Sequence, residues 1–505
     1  MTTNSSNVAL PDAAPVQATD TAKHWIGGEW AESGKVSRSV NPATGELLGQ
    51  WEDGGEAEAR AAIKTARRAF ETTTWSRDRN LRHRVLSEMA DRFDAHLEEL
   101  GRLVTMENGK KLPEGMLEAT VPGLTLRHTA AQALTDTGIA AEVAPGQWFS
   151  TYAEPAGVVG VIVPWNSPVI LLIRSLAPAL AAGNTVAVKM PGQTALIANR
   201  VSQIISEVDS LPPGVVNIFT ESGNTGAPYL VASPDVDVLS YTGSTTVGRL
   251  IAAAGAPTLK RMSLELGGKT PMIVFDDAAL NATIPLLAAA ITTFAGQFCM
   301  TGSRVLVQRG IAAEVRDRLA KALEGVRVGN GLEPGTDMGP MIDKAAVARV
   351  DAMVQEALAY AKPIVRGGPI TEGALAAGAF YRPALLEVEN VNTDIVKKEV
   401  FGPVATFEVF DGEADAIDRA NAGEMGLAAG VFTNDINISR RVSREVHAGT
   451  VWTNTWSAIN DGFAEGGYKQ SGVGRLRGPL GLAEFQEAKT VVHSIPPLDG
   501  APLRA

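Results

Sequence analysis

A single cysteine, Cys299, occurs in the 505 residues of this chain. One thiol cannot build an intramolecular disulfide framework, and it excludes zinc sites of the multi-cysteine type. Histidine is also scarce. His24, His83, His96, His128, His447 and His493 lie far apart and match no HExxH or paired-histidine spacing, so no metal site is expected. No apolar run approaches the roughly 18 residues that a membrane-spanning helix needs, so no membrane partner is expected. The opening segment MTTNSSNVALPDAAPVQATDTAK lacks the basic start and apolar core of a secretory signal. It reads as a flexible polar tail over 1–22, and a cytoplasmic location is the expectation. Positive charge is in deficit, with 45 Lys and Arg against 56 Asp and Glu and a net charge of −11. The basic residues are scattered, so nucleic acid is not an expected partner.

What is present is an ordinary globular composition, 45% hydrophobic and 20% charged. It comes in a chain too long for one compact core, which implies about two or three domains. Near the start, WIGGEW and VNPATGELLGQW read as short strands broken by Gly and Pro turns. Glu56 to Leu103 carries apolar residues at helical spacing and reads as two amphipathic helices. From Gly157 the texture changes. VVGVIVP, NTVAVK, VVNIFT and VDVLSYT are short Val- and Ile-rich runs, most separated by a helix-length segment, which predicts a parallel sheet with crossover helices. A second set follows Gly268, with PMIVF, SRVLVQ, a helix around Ala312–Leu323, TFEVF, AAGVFT and GTVWTN. The terminal run TVVHSI is an isolated strand and needs a partner. A subunit interface is one possible home.

Four segments carry candidate chemistry. Cys299 sits in FAGQFCMTGSR. A free cysteine among apolar residues is by tendency a buried hydrophobe, whereas a Gly-flanked turn at Gly296 can give a thiolate access. In LELGGK, residues 264–269, Glu265 is either a strand-end salt-bridge partner or a partly desolvated general base with a raised pKa. In VPWNSP, Asn166 is either a turn residue before Pro168 or an amide aimed at a developing oxyanion. In YTGSTTVG, residues 241–248, Gly243 and Ser244 stand between a strand and a helix. They form either an ordinary N-cap or a pyrophosphate cradle.

Taken together, these segments resemble the aldehyde dehydrogenase superfamily from about His24 to His493. The resemblance rests on PWN at 164–166, VAVKMPGQTA at 186–195, YTGSTTVG, LELGGK, GQFC at 296–299, KEVFGPV at 398–404 and GGYKQSGVGR at 466–475. Seven motifs in the family's order are specific where any one is ordinary. The resemblance implies an α/β fold: a Rossmann-like cofactor domain (23–135 and 157–267), an α/β catalytic domain (268–475) and a small β oligomerisation ribbon (136–156 and 485–497). It implies that Cys299 attacks an aldehyde, that Asn166 and the Cys299 N–H hold the oxyanion, and that Glu265 activates the water that hydrolyses the thioester, with Lys189 counted in the same catalytic set. The implied cofactor is NAD or NADP. Its contacts would be Pro164, Trp165, Lys189, Gly192, Gly223, Gly226, Thr242, Gly243, Ser244, Thr245, Gly248, Leu266, Glu399 and Phe401. Substrate contacts would be Ser167, Leu171, Arg174, Phe298 and Met300. The implied partners are a small-molecule aldehyde and further copies of the chain, as a homodimer or homotetramer.

Three departures from the family pattern stand out. Gly192 occupies a position where many NAD-preferring relatives carry Glu, which removes repulsion toward a 2′-phosphate and leaves NAD and NADP both open. Leu476 follows Gly474-Arg475 where Glu is frequent, so a proton relay through that position is in doubt. Ala464-Glu465 replaces the Pro-Phe of PFGG, altering a wall of the substrate tunnel. For the substrate, a broad range of aromatic or aliphatic aldehydes is the first reading. An acid semialdehyde bound through Arg174 is the second, the other reading of Arg174 being a structural ion pair. A CoA-acylating enzyme and an inactive structural protein on this fold are the remaining alternatives.

Overall fold

The computed structural model describes residues 21–495. The expected tail over 1–22 therefore lies outside the described residues except at its end, and there Ala22 is not tail-like: it bridges to Trp51 and donates to the Gln50 carbonyl at 2.9 Å. Residues 496 and 497 of the expected ribbon also lie outside.

Two large sheets organise the chain. The first has eight strands, in the spatial order Glu29–Ala31, His24–Ile26, Val216–Glu221, Thr185–Pro191, Val158–Ile162, Val238–Thr242, Arg261–Glu265 and Gly472–Val473. Its five central strands run parallel. Burial on both faces explains their near-continuous Val and Ile content. Along Val158–Ile162, Val159 and Val161 enter one apolar cluster while Val158 and Ile162 enter another on the opposite face. The second sheet has seven strands, in the order Lys362–Val365, Ala384–Glu387, Val404–Phe410, Arg304–Gln308, Pro271–Val274, Ala428–Phe432 and Thr450–Thr453, all parallel except the first. One strand, Gly472–Val473, returns from the later part of the chain to close an edge of the first sheet.

Two helices were expected over Glu56 to Leu103, and three are found: Glu56–Thr72, Arg79–Ala95 and Leu97–Asn108, followed by a long fourth, Leu112–Thr135. The second begins where the Asp78 carboxylate accepts the Leu81 N–H at 2.9 Å. It ends at His96, whose φ of −107° and ψ of 14° turn the chain directly into the third. Apolar periodicity runs on across such a one-residue kink, so it does not show in the pattern. The run TVVHSI lies in the strand Gln486–Ser494, which pairs along its whole length with Gln147–Pro155 of the same chain. Ile139–Ala144 completes this three-stranded ribbon as an exposed edge. Among the described residues, no helix is long and apolar enough to cross a membrane.

Candidate active site

In the first sheet the central strand is Val158–Ile162, and the chain fills one side before crossing to the other. The loops after Ile162 and after Thr242 therefore diverge at the carboxyl ends of neighbouring strands, a switch point at which open α/β sheets leave a crevice. Pro164, Trp165 and Asn166 come from the first loop, Gly243 and Ser244 from the second, and Glu265 and Leu266 from the end of the next strand. All of them line one cavity of about 370 Å³ together with Cys299, Glu399 and Phe401.

Asn166 is held from several sides. Its backbone carbonyl accepts from Lys110 Nζ at 2.6 Å, and its side-chain Nδ2 donates to the Gln297 carbonyl at 3.0 Å. Lys110 is fully buried, pairs with Glu118, donates to Ser167 Oγ at 3.0 Å and lies 4.3 Å from the Phe294 ring centre. Glu118 in turn accepts the Val169 N–H at 3.0 Å. This pair fixes the loop that carries Asn166, and the sequence reading missed it. Its one signal was a Lys and a Glu eight positions apart, the Glu among the buried residues of its helix.

Cys299 follows a tight turn in which Phe294, Ala295 and Gly296 all have positive φ, between 52° and 68°. A Cβ on Gly296 would overlap the Gly402 carbonyl, so only glycine fits. The glycines of LELGGK have a similar reason. A Cβ on Gly268 would overlap the Cys299 carbonyl oxygen, and one on Gly267 would lie 2.5 Å from Glu399 Oε2. The Gly268 N–H donates to Glu399 Oε1 at 3.0 Å. Two bare residues thus let the Glu265 strand end, the Cys299 loop and Glu399 meet at van der Waals distance.

Burial dominates the charges here. It pushes the Cys299 thiol well above its usual range, against the opposing pull of Arg174 and with the added repulsion of Glu465, Glu399 and Glu265. It raises Glu265 and carries Glu399 to about 7, even though Gly268 N–H, Lys269 and Arg349 all favour the Glu399 carboxylate. At rest the sulfur is a thiol beside a poised carboxyl group.

A second cavity of about 470 Å³ meets the first at Asn166, Leu171 and Cys299. Its walls are largely apolar, with Leu117, Val121, Leu124, Ile170, Phe294, Phe298 and Ile459, and it includes the expected Ser167, Leu171, Arg174 and Phe298. Met300 does not belong to it. Its side chain is buried with Leu427, Ala428 and Trp452 in a cluster that packs against Phe298 and Cys299, directly behind the cavity wall.

Arg174 lines this cavity, yet its guanidinium is already engaged. Nη1 binds Glu465 Oε1 at 2.7 Å and Nη2 donates to Thr242 Oγ1 at 2.8 Å. The fold thus builds the structural ion pair, while Arg174 Nε keeps no hydrogen-bond partner among the described residues. Several expected cofactor contacts lie away from the 370 Å³ cavity. Thr245 lines an adjoining groove with Ser244 and Glu399. Gly226 was expected to face the cofactor, but its N–H donates to Glu221 Oε1 at 2.8 Å, as does that of Thr225 at 2.6 Å. This carboxylate fills the N-terminus of Gly226–Ala232. Gly223 stands beside the same carboxylate, and Gly248 allows its helix to pack on Leu266. Lys189 lies near the end of the strand Thr185–Pro191, half-buried, its pKa lowered by burial against the pull of Glu221 and Asp53. Gly192 follows in a short turn, where a Cβ would stand 2.9 Å from both the Trp51 ring and Ser222 Cβ. Ser244 caps its helix by accepting the Val247 N–H at 3.3 Å, so the N-cap reading holds, with the cavity beside it.

The crevice fits a dinucleotide. The sheet's switch point, the N-terminus of Thr245–Gly255, the half-buried Glu399 and the edge-on Trp165–Phe401 pair, 5.5 Å apart, all face one space. Among the described residues no group of three or more His, Cys, Asp or Glu side chains could hold a metal ion.

Comparison with known proteins bears on this geometry. The model of the Aldehyde dehydrogenase family matches residues 30–491. Phenylacetaldehyde dehydrogenase of Pseudomonas fluorescens is 37% identical over 478 residues, covering 92% of this chain and 95% of the relative. Mitochondrial succinate-semialdehyde dehydrogenase of Arabidopsis thaliana is 37% identical over 473 residues, covering 92% and 88%. The crystal structure of betaine aldehyde dehydrogenase from Staphylococcus aureus in complex with NAD+ superposes with a TM-score of 0.92 at 33% identity, covering 95% of this chain and 96% of that one.

Proposed function

The chain belongs to the aldehyde dehydrogenase family, and from that premise we propose that it oxidises a neutral aromatic or aliphatic aldehyde to the free carboxylic acid with NAD or NADP. The observation that carries this reading is the meeting of two cavities at Cys299, with Asn166 on both and Glu265 on the cofactor side. The Cys299 sulfur adds to the aldehyde carbon as its proton passes to the Glu265 carboxylate, giving a thiohemiacetal oxyanion, and Glu265 releases that proton to solvent before it acts on water. Asn166 Nδ2 and the Cys299 N–H stabilise the oxyanion. The nicotinamide, when bound, supplies the hydride acceptor. Glu265 then takes a proton from water, which attacks the thioester carbon and releases the acid and the free thiol. Glu399, Trp165 and Phe401 would hold the nicotinamide end, and the helix N-terminus at Ser244–Thr245 the pyrophosphate.

Cys299→Ala is expected to abolish turnover, and NAD(P)H production by that variant would defeat the mechanism. Glu265→Gln is expected to retain a burst of NAD(P)H with slowed steady turnover; an unchanged steady state would reject the base assignment. Release of acid without added CoA separates this reading from a CoA-acylating one, and Glu265 favours hydrolysis. The intact Cys299, Glu265 and Asn166 set disfavours an inactive structural protein.

The apolar walls and the engaged Arg174 favour a neutral substrate. A charged substrate tail would have to compete there with Glu465 and Thr242 for the Arg174 guanidinium. In a panel of aromatic, aliphatic and carboxylated aldehydes with each cofactor, kcat/KM for phenylacetaldehyde should exceed that for an acid semialdehyde by about tenfold or more. The opposite order would sink this assignment. The exposed ribbon strand Ile139–Ala144, with Ile139 and Val143 open to solvent, supports assembly as a homodimer or homotetramer.

A further inference from the structure

Behind Glu265 a ladder of alternating charges runs across the base of the substrate cavity. Arg174 Nη1 lies 4.0 Å from Glu265 Oε2 and 2.7 Å from Glu465 Oε1. The other oxygen of Glu465 accepts from Arg477 Nε at 2.8 Å, and Arg477 Nη1 binds Asp461. Arg174, Glu265 and Glu465 are all buried. Neither Glu265 Oε1 nor Arg174 Nε has a hydrogen-bond partner among the described residues. Glu465 is placed by its backbone, which exchanges two hydrogen bonds of 2.8 Å with Leu476. Leu476 itself points into the apolar core. The two departures at 465 and 476 are therefore one local arrangement: the leucine fills the core and its backbone sets the glutamate facing Arg174.

We propose that Arg174 and Glu465 are positioning residues for Glu265, dividing one guanidinium between two carboxylates and so setting the pH at which Glu265 works as a base. The proposal rests on the reading of Glu265 as the base. A proton wire is excluded, because an arginine in a protein does not give up its proton; the coupling is electrostatic. Glu465 receives a short contact on each oxygen, from Arg174 and Arg477, and stays ionised. Burial acts on Glu465 in the opposite sense but is outweighed by Arg174 and Arg477, so its pKa falls. Glu265 receives only the longer contact. Its burial raises its pKa, Arg174 and Arg475 oppose the rise, and Glu465 and Glu484 add to it. These four groups and the Cys299 thiol are the titratable and charged side chains facing Glu265. They come from the helix Pro168–Ala182, the loop at Glu465, the turn at Arg475, the end of Gly478–Ala483 and the loop that carries Cys299.

The signs follow. Deacylation needs ionised Glu265, so its rate falls as pH drops through the Glu265 pKa. Glu465→Gln removes a negative charge and leaves Arg174 to Glu265 alone, so the acid limb should move to lower pH by about one unit. Arg174→Met removes the cation, and the limb should move to higher pH by a similar amount. The measurement is the rate of free-acid release from the acyl-enzyme in rapid-quench experiments across pH. A second readout without turnover is the protonated-carboxyl infrared band that is lost in Glu265→Gln, titrated in each variant. Opposite displacements support the proposal. Limbs that stay in place while rates fall would overturn it, leaving Arg174 and Glu465 as structural ions only. If Arg174→Met does not fold, the direction of the Glu465→Gln shift decides alone. Failure of the base reading is separately visible, as normal acid release by Glu265→Gln.

Discussion

Gly268 carries no side chain because the Cys299 carbonyl oxygen occupies the place its Cβ would take. The same holds for Gly296 against Gly402. Gly268→Ala must push the Cys299 loop outward, at a cost of about 1–3 kcal/mol. If half of that falls on the reaction geometry, kcat drops by about two- to tenfold. Steady-state kinetics check this, and unchanged kcat with intact folding would contradict the close approach. Gly192 gives a second prediction at this scale. Its Cβ position is crowded by Trp51 and Ser222, so Gly192→Glu should weaken NAD and NADP alike instead of selecting NAD. A clean switch to NAD, read from the KM values for each cofactor, would refute the crowding argument.

Among the elements, the helix Leu112–Thr135 and the loop around Asn166 are joined by Lys110 and Glu118. The ion pair is sealed from water, with both side chains at 1% exposure or less. Removing one partner leaves a buried charge uncompensated, which typically costs about 3–5 kcal/mol. Lys110→Met should therefore lower the thermal midpoint and also raise the barrier to oxyanion formation, since the Asn166 carbonyl loses its donor. The double variant Lys110→Met, Glu118→Leu should recover stability more than activity. Thermal melts beside kcat measurements separate the two effects, and equal recovery of both would show that Lys110 does not position Asn166.

On the scale of the whole molecule, the three-stranded ribbon leaves Ile139 and Val143 exposed on an edge strand. Charges placed there touch nothing within the chain, so Ile139→Lys with Val143→Lys should change protomer stability by no more than about 0.5 kcal/mol. The pair should nevertheless dissociate the proposed homodimer or homotetramer, as read by sedimentation velocity. An unchanged sedimentation coefficient would place the interface elsewhere. Most parallel strands of both sheets were legible from their Val- and Ile-rich runs, because burial on two faces selects those residues, whereas Arg261–Glu265 and Ala384–Glu387 carry no such run and were not. The count of helices between Glu56 and Thr135 was not, since a kink at His96 leaves the apolar period unbroken.

Cys299 and Glu265 were legible as candidates because each sits beside glycines that answer a local steric demand, and Asn166 because it stands in the PWN motif that carries the resemblance. Arg174 could not be assigned that way. Its partner Glu465 is 291 residues distant in sequence, and only the return of the strand Gly472–Val473 to the edge beside Glu265 brings the two together. These candidate residues lie in local motifs, which a sequence displays directly. The sharing of one guanidinium between two carboxylates is a long-range contact, and the tertiary structure alone decided it.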